Sequence, residues 1–225
     1  MPSTEEHSRI DRYLLELHGA DPYADVYSAS ETHREAHGAD CEVYPSNPLK
    51  ARLLGTLARA TASRRILEIG GGLGYSAFWL ADGADTAASV DAIDRFPEHV
   101  AQIDEFAQRF GLGERVNAIE GEGDEVLRDL RGPYDFIHDD GWLGKEPPYL
   151  ARMIELLRPG GMLAISNWFL IEQSIVAEPD MDWSQFAGPD WQQTIRDYAE
   201  TLASRSDLDL SFIPHPWVAL AVRKR

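Results

Sequence analysis

Between Arg65 and Asn167 the chain switches repeatedly between two hydrophobic periodicities. Short apolar runs of strand length stand at 65–69 (RILEI), 87–94 (AASVDAID), 115–121 (RVNAIEG), 134–140 (YDFIHDD) and 162–167 (MLAISN). The stretches between them carry apolar residues every three or four positions, as Val100, Ile103, Ala107 and Phe110 do in PEHVAQIDEFAQRFG. Helices are therefore predicted at 75–83, 97–111, 124–132 and 147–161, the last stopped by Pro159 and the glycines after it. Strand and helix in alternation imply right-handed crossovers and a parallel sheet covered on both faces. The C-terminal DLDLSFIPHPWVALAVRKR departs from this, since two apolar runs joined by Pro214-His215-Pro216 predict an antiparallel hairpin on the sheet edge.

Before Arg65 the pattern is helical throughout. Ser3 with Glu6 forms a capping box, and Ile10, Tyr13, Leu14 and Leu17 share one helical face. A second helix is predicted over about 22–37. Asn47 and Pro48 open a third, with proline at its tolerated first position. The polar, acidic stretch from Ile171 to Trp191 reads as a long loop or lid. The expected division is an N-terminal helical extension at 1–45 and one domain at 46–225.

Composition narrows the function. The 225 residues carry 38 acids against 21 lysines and arginines, a net charge of −17, which removes the cationic face that nucleic-acid binding needs. No run approaches the length of a membrane span, and the acidic N-terminus lacks a signal-peptide layout. The single cysteine, Cys41, fits a reducing compartment. A cytoplasmic protein with a small-molecule partner is expected.

The candidate chemistry starts at LEIGGGLGYSAF, residues 67–78. A dinucleotide fingerprint requires a third glycine where Tyr75 stands, so that motif fails. The strand leads instead into Glu68-x-Gly70-x-Gly72-x-Gly74. Glycines there permit close backbone approach, and the helix N-terminus offers N–H groups to a carboxylate. An acid ending the next strand would accept ribose hydroxyls, and SVDAID offers Asp94, with Asp91 as second choice.

The glycine pattern resembles the first motif of Rossmann-like S-adenosylmethionine methyltransferases. PEHVAQIDEFAQRFGLGERV, EGEGDEV, YDFIHDDGW and LLRPGGMLAISNW, in that order and spacing, are similar to the small-molecule O-methyltransferases that include the catechol and caffeoyl-CoA enzymes. The resemblance covers about 40–225 and implies a mostly parallel seven-stranded sheet, with an antiparallel final hairpin and helices on both faces. It puts Val43, Glu68, Gly70, Gly72, Gly74, Ser76, Asp94, Glu122, Gly123, Asp140 and Trp142 at the S-adenosyl-L-methionine site, and implies a homodimer joined by the N-terminal helices.

The acceptor half departs from the family. Its divalent-cation ligands, two aspartates and an asparagine, correspond to Asp140, Ser166 and Asn167. A hydroxyl in place of a carboxylate weakens a site for a hard ion such as Mg²⁺. His138 and Asp139 stand near enough in sequence to compensate, although a buried histidine is also an ordinary core residue. The family's catalytic lysine falls on Leu143, with Lys145 two positions on. His215, at the tip of the final hairpin, is a second candidate base, since imidazole titrates near neutrality. Trp142, Trp168, Trp183 and Trp191 are expected around the acceptor. The sequence therefore reads as an S-adenosylmethionine-dependent O-methyltransferase acting on a small aromatic hydroxylated compound. The alternatives are a metal-independent N- or O-methyltransferase with His215 as base, and a non-catalytic cofactor-binding protein.

Overall fold

The computed structural model describes residues 4–37, 43–141, 147–176, 178–179, 181–184, 188–214 and 217–225. Helices α1 (Thr4–His18), α2 (Ala24–His37) and α3 (Pro48–Ala60) precede the alternation. Next come β1 (Arg65–Ile69), α4 (Tyr75–Gly83), β2 (Ser89–Asp94), α5 (Pro97–Arg109), β3 (Val116–Glu120) and α6 (Gly123–Asp129). The second half runs β4 (Tyr134–Asp139), α7 (Pro147–Leu156), β5 (Leu157–Ile165), α8 (Phe169–Ile175), α9 (Trp191–Ala203), β6 (Leu208–Ile213) and β7 (Val218–Arg223).

The seven strands form one sheet in the order β3-β2-β1-β4-β5-β7-β6. The first five are parallel, whereas β7 is antiparallel to both β5 and β6. The expected sheet and its final hairpin are therefore present. Strand residues alternate between two buried layers, as Ile66 and Phe136 do with α3, α4 and α5, and Leu67 and Ile137 with α7 and α9. Strand order reverses between the parallel neighbours β1 and β4, and in open α/β sheets the crevice at that point receives the ligand. Among the described residues no helix is long and apolar enough to cross a membrane.

Two local expectations need correction. Helix α7 ends at Leu156, and β5 begins at once, because Pro159-Gly160-Gly161 forms a bulge between the pairs Tyr134–Leu157 and Phe136–Met162. Asp135 anchors the bulge by accepting from Arg158 Nε at 2.5 Å and from the N–H groups of Arg64 and Arg65. The stretch expected as a lid opens with α8, and Trp191 begins α9, whose Trp191, Ile195, Tyr198 and Leu202 are buried. On α1, Ile10, Tyr13, Leu14 and Leu17 stand in solvent, exposed by 46%, 61%, 38% and 67%. Ser3 of the capping box lies outside the described residues.

Candidate active site

The loop after β1 is shaped by what touches each glycine. Gly70 has φ +84°, and a Cβ there would sit 3.1 Å from the Asp140 carbonyl oxygen. The loops after β1 and β4 thus meet backbone to backbone at the switch point. Gly74 has φ +95° and caps α4, with a Cβ position only 2.7 Å from the Phe78 ring. Gly72 has open space where its side chain would be, and it lines the main cavity. A cradle of bare backbone facing a cavity fits a ligand that rests on the loop.

Asp94, at the end of β2, lines the same cavity and is 8% exposed. Its Oδ2 accepts from Gly72 N at 2.8 Å, and its Oδ1 accepts from Phe96 N at 3.0 Å and lies 2.9 Å from His99 Nδ1. The carboxylate therefore holds the glycine loop in place while facing the cavity. Asp91 points elsewhere, accepting from the Tyr134 hydroxyl at 2.7 Å and Asn117 Nδ2 at 3.0 Å. Glu122 and Gly123 line the cavity, and Ser76 and Val43 border a small adjoining pocket beneath the loop.

Across the carboxyl ends of β1, β4 and β5 runs a buried polar row. Glu68 and His138 are paired in register, with Oε1 2.8 Å from Nδ1, and His138 Nε2 lies 2.8 Å from the Ser166 hydroxyl. All three residues have no solvent exposure. Glu68 is thus paired with His138 and is not among the residues that line the cavity. His138 is a hydrogen-bonded core residue, the plainer of its two readings. Glu68 Oε2 finds no partner among the described residues.

Asp140 follows β4 and borders the cavity. Ser46 Oγ donates to its Oδ2 at 2.8 Å, and Lys50 Nζ stands 3.4 Å from its Oδ1. Burial pushes the Asp140 carboxyl up. The Lys50 ammonium, His138 and the hydroxyls of Ser46 and Ser166 outweigh that and leave it below the ordinary carboxylate value. Asn167, with φ +62°, turns its amide inward, so that Nδ2 donates to the carbonyls of Asp140 at 3.2 Å and Gly141 at 3.0 Å. The three residues expected around a divalent ion do lie together. They meet, however, as donors and an already partnered carboxylate.

One cavity of about 900 Å³ joins these parts, from Asp94 and Gly123 at one end to Asp140 and Asn167 at the other. Phe169, Trp183 and Trp217 also line it. Trp183 donates to Gln173 Oε1 at 2.6 Å and meets Phe169 edge to face. Trp168 and Trp191 do not line the cavity and instead belong to the core, with Trp168 stacked on Phe212 at 5.0 Å. Trp142, Leu143, Lys145 and His215 lie outside the described residues. Sequence reasoning missed Lys50, His99 and Trp217. The first had a signal, a lysine in the first turn of a helix opened by Asn-Pro and so aimed at whatever lies before that helix.

Comparison with known proteins decides what the cavity serves. The profile of the O-methyltransferase family matches residues 30–215. The chain belongs to that family. A Mycobacteroides abscessus protein assigned to the O-methyltransferases is 30% identical over 73% of this chain and 76% of its own length. A catechol O-methyltransferase of Mycobacterium tuberculosis is 32% identical over 58% of this chain and 60% of its own length. Among solved structures, the S-adenosylhomocysteine-bound methyltransferase PaMTH1 of Podospora anserina superposes with a TM-score of 0.82 at 25% identity, covering 100% of this chain and 98% of that one. TomG of Streptomyces achromogenes, an O-methyltransferase solved with S-adenosylmethionine, superposes with a TM-score of 0.78 at 26% identity, over the full length of both chains. The protein is an S-adenosylmethionine-dependent O-methyltransferase, and its glycine cradle and Asp94 fit that cofactor. Ser166 stands where the resemblance expects an acid.

Proposed function

We propose that this methyltransferase acts on the hydroxyl of a small aromatic compound and does so without a divalent cation. Asp140 carries that reading. A hard ion requires oxygen lone pairs from several ligands, yet both Asp140 oxygens already have cationic or hydroxyl partners, and Ser166 offers a hydroxyl bound to His138 rather than a carboxylate. Phe169, Trp183 and Trp217 support an aromatic acceptor by giving the far end of the cavity flat apolar walls.

In this reading Asp94 binds the ribose of S-adenosylmethionine. The Gly70–Gly72 backbone and Ser76 bind its amino-acid end, and Glu122 and Gly123 lie on the adenine side. Bound there, the cofactor supplies an electrophilic methyl on sulfur. The protein's contribution is then alignment of the acceptor oxygen and removal of its proton. Asp140 stays ionised and hydrogen-bonded, so it orients rather than accepts the proton. His215 is our candidate for the base, because Trp217, two positions on, lines the cavity. The single cysteine supports a cytoplasmic setting.

Calorimetry tests the reading in two steps on metal-stripped, folded protein. S-adenosylhomocysteine should bind one to one, and Mg²⁺ or Mn²⁺ added afterwards should give no binding heat. Absence of the first signal would remove the cofactor assignment. A one-to-one metal isotherm that disappears in Asp140→Ala would remove the metal-free one. We also propose a homodimer formed across the exposed Ile10, Tyr13, Leu14 and Leu17 stripe of α1. Leu14→Glu with Leu17→Glu should give a monomer in sedimentation equilibrium, and an unchanged dimer would place the interface elsewhere.

A further inference from the structure

We propose that Lys50 Nζ is a fixed internal cation that binds the acceptor through one anionic oxygen, at the end of the cavity where the family resemblance seats a divalent ion. This rests on the metal-free reading and adds the group that replaces the ion. Lysine is almost never buried unless paired. Lys50 is 7% exposed, borders the cavity and pairs with Asp140. Its position is set locally, since Asn47 Oδ1 accepts from Leu49 N at 2.8 Å and Lys50 N at 3.4 Å, fixing the first turn of α3. Ser46 and Lys50 together engage both oxygens of Asp140 from one short segment.

The charges agree with this assignment. One ammonium neutralises one carboxylate, and a doubly charged ion brought to Asp140 would face that ammonium at short range. The other cationic side chains on the cavity wall belong to the adenine side. Arg95 pairs with Glu122, Arg128 pairs with Asp124, and Arg152 donates to the carbonyls of Leu127 and Leu130. Lys50 stands apart from them, beside Asp140 and Asn167.

The substitution of lysine for an ion changes the class of substrate. A divalent ion has several positions and can hold two oxygens of a diol, whereas an ammonium is a point charge with three N–H donors. Its N–H groups not directed at Asp140 bond an anionic oxygen more strongly than a neutral hydroxyl. The acceptor class is therefore a compound with one acidic hydroxyl on an aromatic ring, the ring lying against Phe169, Trp183 and Trp217. The hydroxyl proton passes to the base as the bound anion forms, and in the transfer an oxygen lone pair forms the new bond to the methyl carbon. The carbon–sulfur bond breaks with its electron pair on sulfur.

The test needs no knowledge of the natural acceptor. In the S-adenosylhomocysteine complex, para-nitrophenol is titrated across a pH series and its phenolate absorbance is followed. Wild type is expected to bind the anion roughly tenfold or more tightly than the neutral phenol. Lys50→Met should erase that preference while leaving S-adenosylhomocysteine affinity unchanged, with Lys50→Gln used in its place should Met disturb the fold. A wild type without the preference, or a Lys50→Met protein that keeps it, overturns the proposal while leaving the cofactor reading intact. The swap Lys50→Ser with Ser166→Asp should gain a one-to-one Mn²⁺ isotherm. Equal Mn²⁺ binding by wild type and the swapped protein overturns the replacement of ion by lysine.

Discussion

Asp94→Ala is expected to weaken S-adenosylhomocysteine binding about ten- to a hundredfold, roughly 1.5–3 kcal/mol, as measured by calorimetry. The loss has two sources in the same side chain. The variant removes the strand-end acceptor for the ribose, and it also removes the bonds from Asp94 to Gly72 N, Phe96 N and His99. Asp91→Ala should leave affinity unchanged, because Asp91 is bound to Tyr134 and Asn117 away from the cavity. Weakening in Asp91→Ala with none in Asp94→Ala would reverse the assignment. Asp94→Asn separates the two sources. It keeps an oxygen for the Gly72 N–H but loses the charge, so it should fall between wild type and alanine.

Where one chain segment sufficed, the sequence was legible. The strands from RILEI to YDFIHDD, the glycine loop and Asp94 follow from local periodicity and from the rule that ligands sit at strand ends. Each of these residues is placed by its own element. Less was legible where placement depends on two distant segments. Nothing local says that β4 brings His138 opposite Glu68 in register. Nor does anything local say that α3 brings Lys50 to Asp140 across 90 positions of chain. The bulge at Pro159-Gly160-Gly161 looks like a helix stop followed by a turn, because turn and bulge use the same residues. By contrast α9 was open to reading, since Trp191, Ile195, Tyr198 and Leu202 recur at helical spacing. Its acidic, proline-bearing approach hid it.

The exposed stripe on α1 is informative in the same way. Periodicity identified one face of the helix correctly, but periodicity does not say which surface covers that face. Four large apolar residues left in solvent on a helix that otherwise carries charged positions are costly for a monomer. The same pattern that builds the fold elsewhere is the ground on which we propose an interface here.

His138→Leu is expected to destabilise the protein by about 3–5 kcal/mol, lowering the thermal midpoint by on the order of 10 °C for a chain of this size. His138 is the sole hydrogen-bond partner of the Glu68 carboxyl among the described residues, and that carboxyl has no solvent to turn to. Leucine would strand that carboxyl and take from Ser166 one of its partners, beneath the residue that orients Asp140. The double variant Glu68→Met with His138→Leu should recover most of the loss, since replacing both partners by apolar groups removes the stranded carboxyl as well. A thermal-unfolding cycle measures the coupling directly. A loss near zero in His138→Leu would mean that Glu68 finds another partner. Failure of the double variant to recover would mean that the row acts through packing rather than through its hydrogen bonds. If the cycle closes as expected, the row serves as scaffold, and the Lys50–Asp140 pair above it owes its position to polar groups that never reach the cavity.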